Sequence, residues 1–456
     1  MAYTVSHRLH RPLLLSLMLT LLLNGCIREL FERGKFRTVP NVAKVAVPAE
    51  KNNQPNGEAR RSHPDPKTSE QPTTAPLSGA TNPPPPAEAE QKPLAQELES
   101  IPTPLPPQVQ ATSRTRSETP PPATVYRNML LTEDIVWKGE ALVEGWVTIA
   151  PQATLTVAPG TVVRFRKNGA GVQGGLLVQG RIIAKGTEAS PVIFTANFTE
   201  PEVGDWQGIV LLSSEKKNFM EHVRISGADT GLDASFSTVT ITSSFFTRCR
   251  TGLRLQDTLV TLTGGGISDC GLGLALYDSE VELRDAAIGG NRLGGVAVRT
   301  SLSLAGGAFD GNVGEALTVD NSRVRIVGAG FTSNGSGVRL TACDGVVTGC
   351  RLKGNVGYGL SLARSRVRVN NNEITGNGSF GLLVEDGQGA AWGNRFVGNG
   401  KYDVYNTGSE EFRAMSNWWD RPADSVQSRI YDRQTNAERG RVYFLPILQT
   451  RPLPLP

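Results

Sequence analysis

Histidine and cysteine are scarce in this 456-residue chain, four and five respectively, and no grouping of them has the spacing of a zinc site. His63 and His222 stand alone. An apolar run of the roughly 18 residues that a membrane-spanning helix needs is also missing. The nearest approach is "LLLSLMLTLLL", Leu13 to Leu23, which has eleven. Charge of one sign is lacking too: residues 126 to 456 carry 33 basic against 32 acidic side chains. Such a balance creates little long-range field and excludes the basic groove of a nucleic-acid binder. No helical periodicity runs through the second half. The expectation is a chain without metal, cofactor or nucleic-acid partner, built from strands.

What is abundant is unevenly placed. Of 29 prolines, 19 fall between Pro40 and Pro122, in phrases such as "NPPPP", "PTPLPP" and "TPPPA". Such a composition cannot bury enough apolar surface to offset ordering entropy, so residues 26–125 are expected to form a disordered tether. At about 3.1 Å per residue it could reach roughly 300 Å when extended, and about 50 to 60 Å as a coil. A proline-rich stretch could alternatively serve as a ligand for a partner's aromatic groove.

Before the tether, "HRLHR" and the eleven-residue run have the make-up of a signal peptide over residues 1–25. The next phrase, "LNGC" from Leu23 to Cys26, resembles the lipobox of a bacterial lipoprotein precursor. That resemblance implies cleavage before Cys26 and acylation of its thiol and new amine, with membrane lipid as the anchor. Each buried methylene adds about 0.8 kcal/mol, so several chains hold firmly where one is marginal. Ile27 stands where an aspartate would signal inner-membrane retention. The resemblance therefore implies export to the outer membrane, facing the periplasm or the surface.

The back half repeats itself. "TGLDA", "TGLRL", "LGLAL", "GGVAV", "EALTV", "SGVRL", "YGLSL", "FGLLV" and "YDVYN" align on Gly231, Gly252, Gly273, Gly295, Ala316, Gly337, Gly359, Gly381 and Asp403, at intervals of 21 or 22. A second alternating run follows in each unit, as in "TVTIT", "EVELR", "SLSLA", "RVRIV" and "RVRVN", whose period of two marks half-buried strands. Three short strands per unit predict an all-β fold, a right-handed parallel β-helix solenoid over residues 126–456, with a C-terminal cap from about residue 404.

Each unit closes with an apolar residue three positions before Cys249, Cys270, Asn291, Asn312, Asn334, Asn355, Asn377 or Asn399. Coils in such a solenoid lie about 4.8 Å apart, so these side chains are predicted to stack as a hydrogen-bonded ladder. A reactive asparagine would be needed once; a ladder needs one at every turn. Cys249 and Cys270 occupy consecutive rungs, either as free buried thiols or as a strained disulfide. Cys343 and Cys350 lie seven apart with no histidine near them.

Upstream, "ATLTVAPGTVVRF", "LLVQGRIIAKGTEASPVIFTA" and "DWQGI" resemble the first coils of exported bacterial β-helix proteins and extend the solenoid back to about Trp137. "NWWD", "IYD" and "GRVYFLPIL" resemble the last. The chain is thus similar, over residues 130 to 450 or so, to the pectin-lyase-like superfamily. The resemblance implies the fold and leaves activity open, because lyases, hydrolases, epimerases and adhesins all use it. Trp206, Trp418 and Trp419 suit either sugar stacking or end capping, with capping favoured.

Enzymes of that superfamily work on an outer sheet face with clustered acids. With Leu253 and Leu255 inward, the outward residues of successive coils are predicted to include Arg254, Tyr277, Ala297 with Arg299, Asp320, Arg339 and Glu385. Asp320 and Glu385 would then be three coils apart, roughly 14 Å, beyond the 5 to 9.5 Å at which two carboxylates share a glycosidic bond. Asp320 would instead pair with Arg299. On the second sheet Glu280, Glu282 and Arg284 alternate on one strand and form the best acidic candidate, with only Thr261 and Ser303 beside them. The "NTD", "DD" and "GHG", "DPHD" and "RxPxxR" signatures of polygalacturonases, alginate epimerases and pectate lyases are absent. The reading is a non-catalytic envelope protein that contacts glycan or protein through outer-face residues such as Arg254, Tyr277, Arg299 and Arg339. The alternative is a polysaccharide lyase, hydrolase or epimerase with unfamiliar residues.

Overall fold

The computed structural model describes residues 116–120, 122 and 124–453. Signal peptide, Cys26 and nearly all of the proposed tether lie outside the described residues. The rest winds as a right-handed parallel β-solenoid with three strands to a coil. One coil shows the plan: Thr251–Gln256 lies on face A, Leu259–Thr263 on face B and Gly266–Ser268 on face C, and each pairs in parallel with its counterpart one coil later. Face B is a continuous sheet of 14 strands, from Ile135–Trp137 to Val442–Tyr443. The only helical segments among the described residues are Ala423–Val426 and Gln427–Arg429.

Alternation explains the core. On each strand every second residue turns inward, and the inward set (Leu253, Leu255, Val260, Leu262 and Ile267 in this coil) is buried in one column-packed interior. Each coil must bend three times, and each bend uses left-handed backbone angles: Asp257 at φ 48°, Gly264 at 63° with Gly265 at 70°, and Asp269 at 56°. Where the next residue carries a hydroxyl, a thiol or an amide, as Thr258 and Cys270 do, it points inward and becomes a rung.

The predicted ladder occupies the bend between faces C and A. Asn355 Nδ2 donates to Asn377 Oδ1 at 2.9 Å and to the Phe331 carbonyl at 3.0 Å, while its own Oδ1 accepts from Asn334 N and Nδ2. Asn291, Asn312, Asn334 and Asn377 repeat the pattern. At its end Asn399 donates to Asp403 Oδ1, whose other oxygen takes Arg429 at 3.2 Å. Cys249 and Cys270 are free thiols in the first rungs: Cys249 N–H donates to Cys270 Sγ at 3.4 Å, and Cys270 N–H to Asn291 Oδ1 at 2.9 Å.

Two further ladders stand at the other bends. Between faces B and C, Cys350, Asn372, Asn394 and Asn417 chain together, each backbone N–H donating to the next Oδ1 at 2.8 to 3.0 Å. Between faces A and B the rungs are hydroxyls: Thr258 N–H donates to Ser279, Thr300 to Ser322 and Cys343 to Ser365. Cys343 and Cys350 therefore belong to different ladders. All four cysteines of the described residues are rungs, and burial pushes the Cys343 and Cys350 thiols up to about 11.

The structure corrects several expectations. Strand pairing starts earlier than Trp137, since Thr124–Leu131 already pairs with Glu140–Ile149. Residues 116–120 also lie against the chain near residue 200: Arg116 makes ion pairs with Glu202 and Asp205, and Thr119 N donates to the Asn197 carbonyl. Trp206 is no cap. It is fully buried, stacks on Phe165 with ring centroids 4.0 Å apart, and donates Nε1–H to the Ser226 carbonyl. Trp419 does cover the last coils by stacking on Phe396. Beyond residue 404 the chain makes a further, thinning turn through Phe412–Arg413, Trp418–Trp419, Ile430–Tyr431 and Val442–Tyr443.

Candidate functional site

Face A carries the side chains expected to meet a partner, and one coil on it is registered differently from the sequence alignment. In "LGGVAV" the residue that pairs with Leu274 is Gly295, so Gly294 occupies the repeat position. Ala297 is therefore inward and fully buried, and Val296 and Val298 face out. A slip of one residue exchanges the two faces of a strand, and paired glycines give the alignment no side chain by which to choose. Arg299 consequently leaves the face. It sits at the bend with φ 51° and pairs with Asp278 through two hydrogen bonds of 2.6 Å, not with Asp320.

The other candidates remain outward but are partly committed. Arg254 pairs with Asp233 at 3.2 Å, and Tyr277 is half-buried. Arg339 is drawn into a cluster that the sequence did not single out. Its guanidinium donates to Glu315 Oε1 at 2.9 Å and lies 5.4 Å from the ring centre of Tyr358. The Tyr358 hydroxyl donates to the same carboxylate oxygen at 3.3 Å, and burial pushes that phenol up to about 12. At neutral pH it keeps its proton.

From Tyr358 an aromatic wall continues along the axis. Tyr358 pairs with Phe380 and Phe380 with Tyr402 in successive strands, while Tyr405 pairs with Tyr431. Phe380 stacks on Tyr405 at 4.4 Å, Tyr402 on Tyr405 at 5.5 Å, and Tyr405 packs on Tyr431 at 4.5 Å. Val404 and Ile430 point into the core, so the adjoining Tyr405 and Tyr431 face outward; Phe380 and Tyr402 reach the same surface by stacking on Tyr405, and all four rings are half-buried. The wall is hard to see in sequence because its members come from separate coils and share no phrase. It offers an apolar surface of stacked and tilted rings beside a carboxylate, a guanidinium and a phenol.

The acidic candidate on face B is arranged as its alternation predicts. Glu280, Glu282 and Arg284 share one strand with outward side chains, Thr261 and Ser303 flank Glu282, and Glu282 pairs with Arg284 at 2.5 Å. No further acid or base joins them in the neighbouring strands. Among the described residues no three His, Cys, Asp or Glu side chains gather as a metal site.

The winding, the three ladders and the stacked core define a β-helix protein. Residues 129–234 match the pectate-lyase like beta helix domain and residues 256–411 the right handed beta helix region. The chain is thus a right-handed parallel β-helix protein with a pectate-lyase like stretch at residues 129–234. No curated protein matches it. Among solved structures it is similar to the mannuronan C-5 epimerase AlgE6 A-module of Azotobacter vinelandii, at 15% identity over 69% of this chain and 91% of that one, with a TM-score of 0.40. It is also similar to a single-substitution mutant of the periplasmic alginate epimerase AlgG, at 12% identity over 69% and 78% with a TM-score of 0.37. A third is tailspike protein 3 of bacteriophage CBA120, at 11% identity over 72% and 56% with a TM-score of 0.33. Scores this low carry no argument about a shared site.

Proposed function

We propose that this is an exported, lipid-anchored β-helix protein of the cell envelope that holds a glycan on face A without transforming it. The observation that carries the reading is the half-buried wall of Phe380, Tyr402, Tyr405 and Tyr431 beside Glu315, Arg339 and Tyr358. The outer edges of the packed rings give apolar contact to the C–H groups of pyranoses, and the adjoining polar groups fix orientation. Retention of the full chain on immobilised envelope and plant polysaccharides, with and without Tyr405→Ala/Tyr431→Ala, tests it.

One observation favours an enzyme as the second reading: a carboxylate, a guanidinium and a phenol within hydrogen-bonding reach of one another. Its chemistry is unfavourable for proton abstraction. A base needs a pKa near the working pH, and the Tyr358 phenol is displaced the other way, to about 12. Glu315 already accepts from both partners. The cluster suits recognition of hydroxyl groups.

The anchor is proposed on Cys26, outside the described residues. Cys26→Ala is expected to abolish palmitate labelling and leave an uncleaved or soluble protein, read by fractionation. Continued labelling with unchanged fractionation would remove the lipoprotein from the account.

A further inference from the structure

The C-terminal half of face B carries a charge pattern that neither the ladders nor face A uses. Arg325 and Arg368 lie in one outward column with Val346 between them, and the column continues through Ala390 to Arg413. All three arginines are exposed, and none has an ion-pair partner among the described residues. Each is two coils from the next, about 9.6 Å at the usual strand spacing. Val346 and Ala390 leave shallow apolar gaps between them. The adjacent column is mixed: Asp344 stands between Arg323 and Arg366 and is tied to Arg366 at 2.8 Å, and Glu411 accepts from the Tyr443 hydroxyl.

We propose that this column is a second binding surface, for a linear acidic polysaccharide whose contact edge presents a carboxylate on every second residue. A glycan in an extended two-fold conformation turns over at each pyranose, so alternate residues show the same edge at a repeat close to two strand spacings. Guanidinium forks suit carboxylates, and the small side chains at the gaps receive the intervening sugars. In the neighbouring column Asp344 and Glu411 offset Arg323 and Arg366, which leaves the net positive charge on the line of Arg325, Arg368 and Arg413. That fits a single chain better than a flat anionic membrane. The surface uses no residue of face A, so it stands or falls separately from the proposed face A site.

The test is binding of the full chain to oligouronates of two to ten residues, with their methyl esters, single-stranded DNA and phosphatidylglycerol vesicles as comparisons. Affinity is expected to rise up to the pentamer, which spans three arginines, to level beyond it, and to fall with salt. The esters should bind weakly. Replacing all three arginines by glutamine should weaken pentamer binding by roughly 20- to 100-fold, at up to about fivefold for each exposed charge. The exchange Val346→Arg with Arg368→Val keeps the net charge and destroys the spacing, and should lose at least fivefold. Tyr405→Ala/Tyr431→Ala should leave pentamer binding unchanged. Equal binding by the exchange variant, tighter arginine-dependent binding to DNA or vesicles, or no oligouronate binding at all would overturn the proposal.

Discussion

Asn355→Ala is expected to destabilise the solenoid by about 3 kcal/mol, at the upper end of what a buried unsatisfied group costs. The side chain makes four hydrogen bonds: two donated to Asn377 Oδ1 and the Phe331 carbonyl, and two accepted from Asn334. Truncation takes the acceptor from the buried Asn334 N–H and this donor from the Phe331 carbonyl, and leaves Asn377 Oδ1 with only the Asn355 N–H on this side. Since a solenoid is held by nearest-neighbour interfaces, the loss falls on two coil junctions. Asn370→Ala supplies the control, because that side chain is half-buried on face B and bonds only Thr348 Oγ1. Its cost should be under about 1 kcal/mol. Urea unfolding of the two variants checks both values, and equal stability would mean that the rungs do not carry the bend.

Trp206→Ala should be at least as severe, about 3 to 5 kcal/mol, because a buried indole is replaced by a cavity against Phe165 and the Ser226 carbonyl loses its donor. The same variant separates core from site. If Trp206 were a sugar platform, the change would weaken glycan retention in protein that is still folded. The structure predicts a lower unfolding midpoint and unchanged retention per folded molecule. Trp418 offers the contrast: it is half-buried between the guanidinium groups of Arg395 and Arg451, at 5.6 and 5.8 Å from its ring.

Much of this fold is legible in the chain because the coil period imposes one requirement again and again. The bend between faces C and A asks for the same asparagine at every turn, and six of eight rungs supply it. At the bend between faces B and C, Ser244 takes the Val223 N–H, but Gly265, Ala286, Gly307 and Ala329 follow, so the continuous ladder begins only at Cys350 and Asn372. Hydroxyl rungs such as Ser279 and Ser322 are hidden by how common serine is. Register failed at Gly294 and Gly295, where neither residue has a side chain to prefer the core, and that failure carried Arg299 onto the wrong face.

The functional surfaces divide in the same way. "RVRIV" and "RVRVN" place their arginines outward by simple alternation, so the face B column was accessible once the period was known. The aromatic wall needs contacts between coils, and Tyr431 joins it only because the terminal turn brings Ile430–Tyr431 beside Tyr402–Asn406. Glu315, Arg339 and Tyr358 likewise come from three coils, with no spacing that announces them.

Retention and sugar release measured together on one polysaccharide panel test the central claim most directly. Wild-type protein should be retained on at least one glycan while releasing neither reducing ends nor unsaturated sugar. Tyr405→Ala/Tyr431→Ala should lose most of that retention on the glycan that face A holds, and Glu282→Gln should match the wild type. Release of sugar by the purified chain, abolished by Glu282→Gln or Tyr358→Phe, would contradict the account and establish a polysaccharide-active enzyme in its place.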